Sequence, residues 1–89
     1  MDLRLQVGLN VRRVRSARGW SQEELAFRSG LHRTYVSGVE RGARNPTVLV
    51  IGRLANTLGV PPAHLLRPLP KGFKQTTGEV RDSGARGRR

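Results

Sequence analysis

One segment, SQEELAFRSGLHRTYVSGVERGAR at residues 21–44, restricts the possible folds of this chain more than any other. Ser21 is a strong N-cap residue, and Glu24 three positions later completes a capping box that starts a helix. Gly30 suits the left-handed position at which helices commonly end. Gly42 ends a second helix shortly afterwards. The segment therefore predicts two short helices joined by a tight corner.

The second of these helices divides into an apolar and a polar side. Val36 and Val39 lie three residues apart and fall on the apolar side. The opposite side carries small, polar and guanidinium groups, namely Arg33, Thr34, Ser37, Gly38 and Arg41. A helix of this composition packs by one side and is suited to lie in a groove by the other.

The order of residues in this segment resembles that of a known family. The string Ser-Gln-x-x-Leu-Ala-x-x-x-Gly-x-x-x-x-x-Val-Ser-x-x-Glu-x-Gly is similar to the helix-turn-helix signature of phage repressor, Cro and XRE-type regulators. The portion LHRTYVSGVERGARNPT looks most like the controller proteins of bacterial restriction–modification systems. The resemblance covers roughly residues 5–67. It implies an all-α, five-helix, lambda-repressor-like DNA-binding domain.

The charge of the chain is consistent with an anionic partner. Its 89 residues include 17 Lys and Arg against 6 Asp and Glu, for a net charge of +11. Such an excess is most simply explained by binding to a phosphate backbone. A bias of genome composition would explain why all basic residues except Lys71 and Lys74 are Arg, but not the shortage of acidic residues.

The composition disfavours several classes of protein. The chain has no cysteine, which excludes disulfides and thiolate chemistry and makes the cytoplasm the default compartment. No apolar run approaches a membrane span, and the N-terminus lacks the apolar core of a signal peptide. His32 and His64 have neither a cysteine nor a paired carboxylate nearby for a zinc site or a triad. We therefore expect no enzyme, metal, cofactor or small-molecule ligand.

Before the motif, the chain predicts a first amphipathic helix over about residues 3–18. Its apolar residues recur at steps of three and four, namely Leu3, Val7, Val11 and Val14. Gly8 lowers the helix propensity, so we expect the stable part to begin nearer to Leu9.

A fourth helix is predicted after the turn at residues 43–46. Its N-cap is either Asn45 or Thr47, and the sequence alone does not decide between them. The helix runs to Leu58, with Gly59 as its stop. Its inward stripe consists of Val48, Ile51, Leu54, Ala55 and Leu58.

The C-terminal part of the chain predicts a short helix and a tail. Pro61 and Pro62 can open a fifth helix, which Pro68 ends. A domain at residues 1–67 is then followed by a disordered basic tail at residues 68–89, which has no periodicity and carries six basic and two acidic residues. The tail either adds non-specific attraction to phosphate or is a solvated C-terminus without a role.

The resemblance, carried over position by position, implies DNA contacts in and around the third helix. The base-reading positions correspond to Arg33, Thr34, Ser37 and Gly38. The guanidinium of Arg33 can bind O6 and N7 of guanine. Gln22, the first residue of the second helix, can meet a phosphate together with nearby backbone N–H groups. The positions that contact the DNA backbone in the family correspond to Arg41, Arg44 and Asn45, and Arg44 could also reach a base.

Other contacts in this region are less determined. Gly38 replaces the larger polar side chain of many relatives and permits a close approach of the backbone to DNA. Tyr35 either reaches a phosphate or a base, or is an aromatic at the edge of the core whose hydroxyl stays in water. The resemblance also implies a partly buried ion pair between Arg15 and Glu40, where the alternative is two independently solvated charges.

The predicted function is that of a transcriptional regulator, of repressor or controller type, which reads operator major grooves as a dimer with the helix around residues 33–41. A single reading helix contacts too few base pairs to find an operator. Leu49 and Val50 lie off the inward stripe and form a candidate dimer surface. Leu65 and Leu66 fold back on the core, and Leu65, Leu66 or Leu69 could extend this surface at the end where the resemblance implies dimerisation. The alternatives are an antitoxin-type regulator that also binds a protein partner and an interaction module that has lost DNA binding.

Overall fold

The computed structural model describes residues 2–69, and all regular structure in that range is α-helical. Five helices follow one another, α1 (Leu3–Ala17), α2 (Gln22–Ser29), α3 (Arg33–Glu40), α4 (Val48–Leu58) and α5 (Pro62–Leu66). The predicted all-α, five-helix architecture is confirmed. None of these helices is long and apolar enough to cross a membrane. The division into a domain at residues 1–67 and a basic tail stays a prediction, because residues 70–89 lie outside the described range.

The start and stop signals of α2 act as predicted, with one exception. The Ser21 hydroxyl accepts a hydrogen bond from the backbone N–H of Glu24 at 3.0 Å, and Gly30 ends the helix with a φ of 77°. The Glu24 carboxylate, however, accepts a hydrogen bond from Nε of Arg28 at 2.6 Å, rather than returning to the N-cap as a complete capping box requires. A charge pair one turn along α2 therefore replaces half of the predicted box.

The start of α4 decides between the two predicted caps. The hydroxyl of Thr47 accepts a hydrogen bond from the backbone N–H of Val50 at 3.2 Å, and the first helical residue is Val48. Asn45 therefore lies exposed in the loop between α3 and α4. At the other end, Gly59 adopts a φ of 77° and stops the helix as predicted.

The core is built from apolar side chains of all five helices. Its buried members are Val7, Val11, Val14, Leu25, Ala26, Val36, Val39, Ile51, Leu54, Ala55, Leu58 and Leu65. The predicted stripe of α4 is wrong at Val48, which is 83% exposed, and Val50, predicted off the stripe, packs against the core. Side chains of a helix lean toward its N-terminus, so that of Val48, in the first turn, projects beyond the core.

α1 is a continuous helix from Leu3, so the expected weakening before Leu9 does not occur. The reason is the contact that Gly8 makes. A Cβ atom at this position would lie 2.1 Å from the carbonyl oxygen of Val39 and 2.8 Å from that of Glu40. The glycine therefore lets α1 lie directly against the C-terminal turn of α3, and this packing outweighs a propensity cost of about 1 kcal/mol.

α5 is held on α1 by two side-chain amides. Asn10, which is fully buried, donates from Nδ2 to the carbonyl oxygens of Leu65 and Arg67, both at 2.9 Å. Gln6 donates from Nε2 to the carbonyl oxygen of Leu66 at 2.7 Å. These bonds satisfy carbonyl groups that a helix C-terminus leaves without intrahelical partners. A helix too short to be stable alone is thereby fixed on the core.

Candidate nucleic-acid interface

α3 is anchored to α1 through a buried carboxylate at its C-terminal end. Arg15 donates from Nε to Oε2 of Glu40 at 2.6 Å and from Nη2 to Oε1 at 2.9 Å. The Glu40 side chain has no exposed surface, and that of Arg15 is 14% exposed. A helix C-terminus disfavours a negative charge, and the two-point contact with the guanidinium offsets this. Arg15 and Glu40 thus form the ion pair that the resemblance implies.

The same carboxylate also contacts the first residue of α2. Gln22 donates from Nε2 to Oε1 of Glu40 at 3.1 Å, and Nε of Arg12 lies 3.6 Å from the same oxygen. α1, α2 and α3 therefore meet at one carboxylate. Sequence reasoning missed both contacts, although Arg12 and Arg15 lie three residues apart, a spacing that places two guanidinium groups on one side of a helix.

A shallow hollow lies between the N-terminal ends of α2 and α3. It is lined by Arg15, Ser21, Gln22, Glu23 and Arg33. Backbone N–H groups at a helix N-terminus have no intrahelical partners and attract anions. Gln22 and Arg33, predicted to meet a phosphate and a base respectively, are therefore brought together at one place.

The predicted contact residues of α3 and the following loop are mostly accessible. Those exposed are Arg33, Thr34, Arg41, Arg44 and Asn45, while Tyr35 and Ser37 are half-buried. The hydroxyl of Ser37 accepts a hydrogen bond from Nη1 of Arg41, one turn later. Within residues 2–69, Arg33, Arg41 and Arg44 form no ion pair with a carboxylate. Their charges are therefore available to an anionic partner.

The surface above Gly38 is filled by a side chain. A Cβ atom at Gly38 would lie 2.8 Å from Cγ of Arg44 and 3.2 Å from its Nε. The guanidinium of Arg44 lies 5.5 Å from the ring centroid of Tyr35, which itself packs against the core. The expectation that Gly38 leaves its backbone open to DNA is therefore wrong in this structure. The missing side chain makes room for Arg44, and Tyr35 is an aromatic at the edge of the core.

The two histidines differ in their surroundings. His32 is the N-cap of α3 and makes no side-chain capping bond. His64 lies in α5, where desolvation and the positive charges of Arg67 and Arg13 lower its pKa, which favours the neutral imidazole at pH 7. Among the residues that the structure describes, no three His, Cys, Asp or Glu side chains are placed to hold a metal ion.

The span from α1 to α5 can be compared with known proteins. Residues 11–65 match the helix-turn-helix family HTH_3, and this match includes α2, the corner and α3. The chain belongs to the helix-turn-helix family. The predicted resemblance to regulators of this type is thereby confirmed.

Relatives of this helix-turn-helix protein cover most of its length. It is 47% identical over 68 residues to the uncharacterized HTH-type transcriptional regulator y4dJ of Sinorhizobium fredii, across 76% of this chain and 88% of the relative. The crystal structure of the restriction–modification controller protein C.AhdI from Aeromonas hydrophila matches with 48% identity and a TM-score of 0.68, over 70% of this chain and 94% of that chain. The controller protein C.Esp1396I, a tetramer in complex with its natural 35-base-pair operator, matches with 34% identity and a TM-score of 0.67, over 73% and 86% of the two chains.

The predicted dimer surface of the helix-turn-helix protein is only partly accessible. Leu49 is 85% exposed, and Leu66 is exposed to a lesser extent. The assignment of Leu65 to this surface is wrong, because α5 folds back on the core and the side chain of Leu65 has no exposed surface. Val50 also packs against the core and offers only part of its surface. Val48, the neighbour of Leu49, is 83% exposed and lies outside the predicted surface.

Proposed function

We propose that this protein is a sequence-specific DNA-binding transcriptional regulator, of repressor or controller type, that places α3 in the major groove. The proposal rests mainly on one observation. Arg33, Arg41 and Arg44, on α3 and the loop after it, have no carboxylate partner within residues 2–69, and Arg33 lies beside the N-terminus of α2. The name of y4dJ and the operator complex of C.Esp1396I support it. Such a regulator needs no catalytic group and acts in the cytoplasm.

The proposed contacts divide into those that read bases and those that bind phosphate. Arg33 reads guanine through a bidentate contact, and the hydroxyls of Thr34 and Ser37 assist at neighbouring base edges. Gln22 binds a phosphate together with backbone N–H groups of α2. The remaining contacts come from Arg41, Arg44 and Asn45, with Arg44 lying over Gly38 and beside the ring of Tyr35.

The functional unit is a dimer with two-fold symmetry. Two α3 helices about one DNA turn apart, roughly 34 Å, read a near-palindromic operator, whereas one helix contacts too few base pairs. The tetramer of C.Esp1396I on its operator supports oligomeric binding. Val48 and Leu49 are adjacent, apolar and exposed at the start of α4. Such a patch suits a contact with a second copy.

Replacing Arg33 with Ala tests the assignment of α3. We expect the operator affinity to fall by about 1–3 kcal/mol and discrimination to relax at one base pair per half-site, because a bidentate base contact is lost. Genomic footprinting with the native protein identifies the operator, and titrations against operator and mismatched duplexes then measure discrimination.

The matched control is Arg53→Ala. Arg53 is exposed and has no carboxylate partner within the described residues, but it lies on α4. This variant should keep both the affinity and the discrimination of the native protein. If Arg33→Ala weakens binding to every duplex by the same factor, Arg33 does not read a base.

A further inference from the structure

We infer that Glu40 is a positioning residue for DNA binding, whose buried carboxylate orients the Gln22 amide toward a backbone phosphate. The inference rests on the function proposed above and adds to it a residue that does not touch DNA. Because the Glu40 side chain has no exposed surface, its effect on DNA binding must pass through the groups that it binds.

The two oxygens of this carboxylate have different partners. Oε2 accepts a hydrogen bond from Nε of Arg15 at 2.6 Å. Oε1 accepts one from Nη2 of Arg15 at 2.9 Å and another from Nε2 of Gln22 at 3.1 Å. The bidentate pair with Arg15 is complete without Gln22. The bond to Gln22 is therefore not needed to fix α3 on α1, and it is the one that extends the pair to α2.

The bond to Glu40 determines which end of the Gln22 amide is turned inward. A carboxylate only accepts hydrogen bonds, so the amide nitrogen has to face it, and one of its two hydrogens is used. A phosphate also accepts hydrogen bonds, and the second amide hydrogen is the group that can bind it. Without Glu40, the Gln22 amide could turn its oxygen toward the phosphate, which does not bind it. The Gln22 side chain would also regain rotamers, and DNA binding would then have to restrict them again.

The buried carboxylate does not make this surface negative. Arg15 and Arg12 supply two guanidinium groups against the one carboxylate of Glu40. With Arg33 and Glu23 of the hollow included, guanidinium groups still outnumber carboxylates. The excess positive charge therefore attracts a phosphate toward the amide of Gln22.

A double-mutant cycle on Gln22 separates this role from simple anchoring of α3. The second background is Arg15→Met/Glu40→Leu, since removing both charges avoids a buried unpaired charge and leaves an apolar contact. The probe is a duplex that the native protein selects from random-sequence DNA, titrated with the full chain at constant salt. Gln22→Ala should weaken binding about tenfold in the native protein. In the second background it should weaken binding by less than about twofold, because the contact is already lost.

Two controls make the cycle specific. Arg33→Ala should weaken binding by the same factor in both backgrounds, which shows that α3 keeps its place. Arg15→Lys retains the carboxylate and its bond to Gln22, so Gln22→Ala should keep its full effect in that variant.

Three results would be decisive against these assignments. A full Gln22 effect in the Arg15→Met/Glu40→Leu background would overturn the inference. A simultaneous loss of the Gln22 and Arg33 effects would also overturn it, because Glu40 would then only hold α3 in place. A native protein without salt-dependent retention on any duplex would instead overturn the proposed function itself.

Discussion

The two sides of α1 contact their neighbouring helices in different ways. The side that faces α3 does so through a glycine and a charged side chain, and the side that faces α5 does so through two neutral amides. Gly8 lies against carbonyl groups in the last turn of α3, and Arg15 binds the carboxylate of Glu40. Asn10 and Gln6 donate hydrogen bonds to carbonyl groups at the end of α5. Both sides of α1 thus hold the C-terminal end of a short helix. One does so by close packing and charge, and the other by neutral hydrogen bonds.

The two kinds of anchor differ in how strongly they restrict the orientation of the helix and in how much stability is lost when they are removed. A bidentate guanidinium–carboxylate contact restricts orientation more strongly than a single neutral hydrogen bond. A buried charge that loses its partner is also penalised more than a neutral group. Orientation matters most for α3, because it determines which proposed contacts reach the groove. α5 has only to cover the core, which requires less directionality.

Removing the carboxylate on the α3 side should have the largest effect on stability. Glu40→Ala is expected to lower the free energy of unfolding by about 3–5 kcal/mol, because Arg15 is left largely buried without its carboxylate partner and keeps only its hydrogen bond to the carbonyl oxygen of Trp20. Urea unfolding followed by circular dichroism measures this change. The matched control is Glu24→Ala, which breaks an exposed ion pair with Arg28 worth about 0.5 kcal/mol. Equal destabilisation by the two substitutions would refute the role of Glu40 as an anchor.

Breaking the α5 side should cost less and act locally. Asn10→Ala removes two hydrogen bonds to carbonyl groups of α5 and should lower the free energy of unfolding by about 1–3 kcal/mol. Amide hydrogen exchange should accelerate in α5 and stay unchanged in α3, because the two helices are anchored separately. Gln6→Ala, which removes one exposed bond, should have a smaller effect. A parallel acceleration in α3 would show that the two sides of α1 are coupled.

The order of the helices could be predicted because its signals are local. The cap at Ser21 and the glycine stops at Gly30 and Gly59 depend on residues within about one turn. Gly8 and Asn10 depend on partners far along the chain, and helix propensity alone counts Gly8 as a defect. Their roles could not be predicted, because nothing in the neighbouring residues indicates which backbone will lie against them.

The same division applies to the candidate site. The register of the motif places Arg33 on the exposed side of α3 and Gln22 at the start of α2. Periodicity does not specify side-chain rotamers, so neither the packing of Arg44 over Gly38 nor the bond from Gln22 to Glu40 could be predicted. Periodicity also gives the angular position of a residue around the helix, but not the point along the helix where the core ends. The predicted inward stripe of α4 is therefore wrong at Val48.

The start of α4 should show the smallest effect on folding, because its exposed side chains, which we propose for association, lie outside the core. Leu49→Glu is expected to change the free energy of unfolding by no more than about 0.5 kcal/mol, since Leu49 is 85% exposed. It should nevertheless abolish dimerisation and cooperative operator binding, because a charge is introduced into an apolar contact. Val50→Glu is the contrast, and it should destabilise the monomer as well, because Val50 packs against the core. Sedimentation velocity distinguishes these results, and a Leu49→Glu protein that still dimerises would exclude Val48 and Leu49 from the interface.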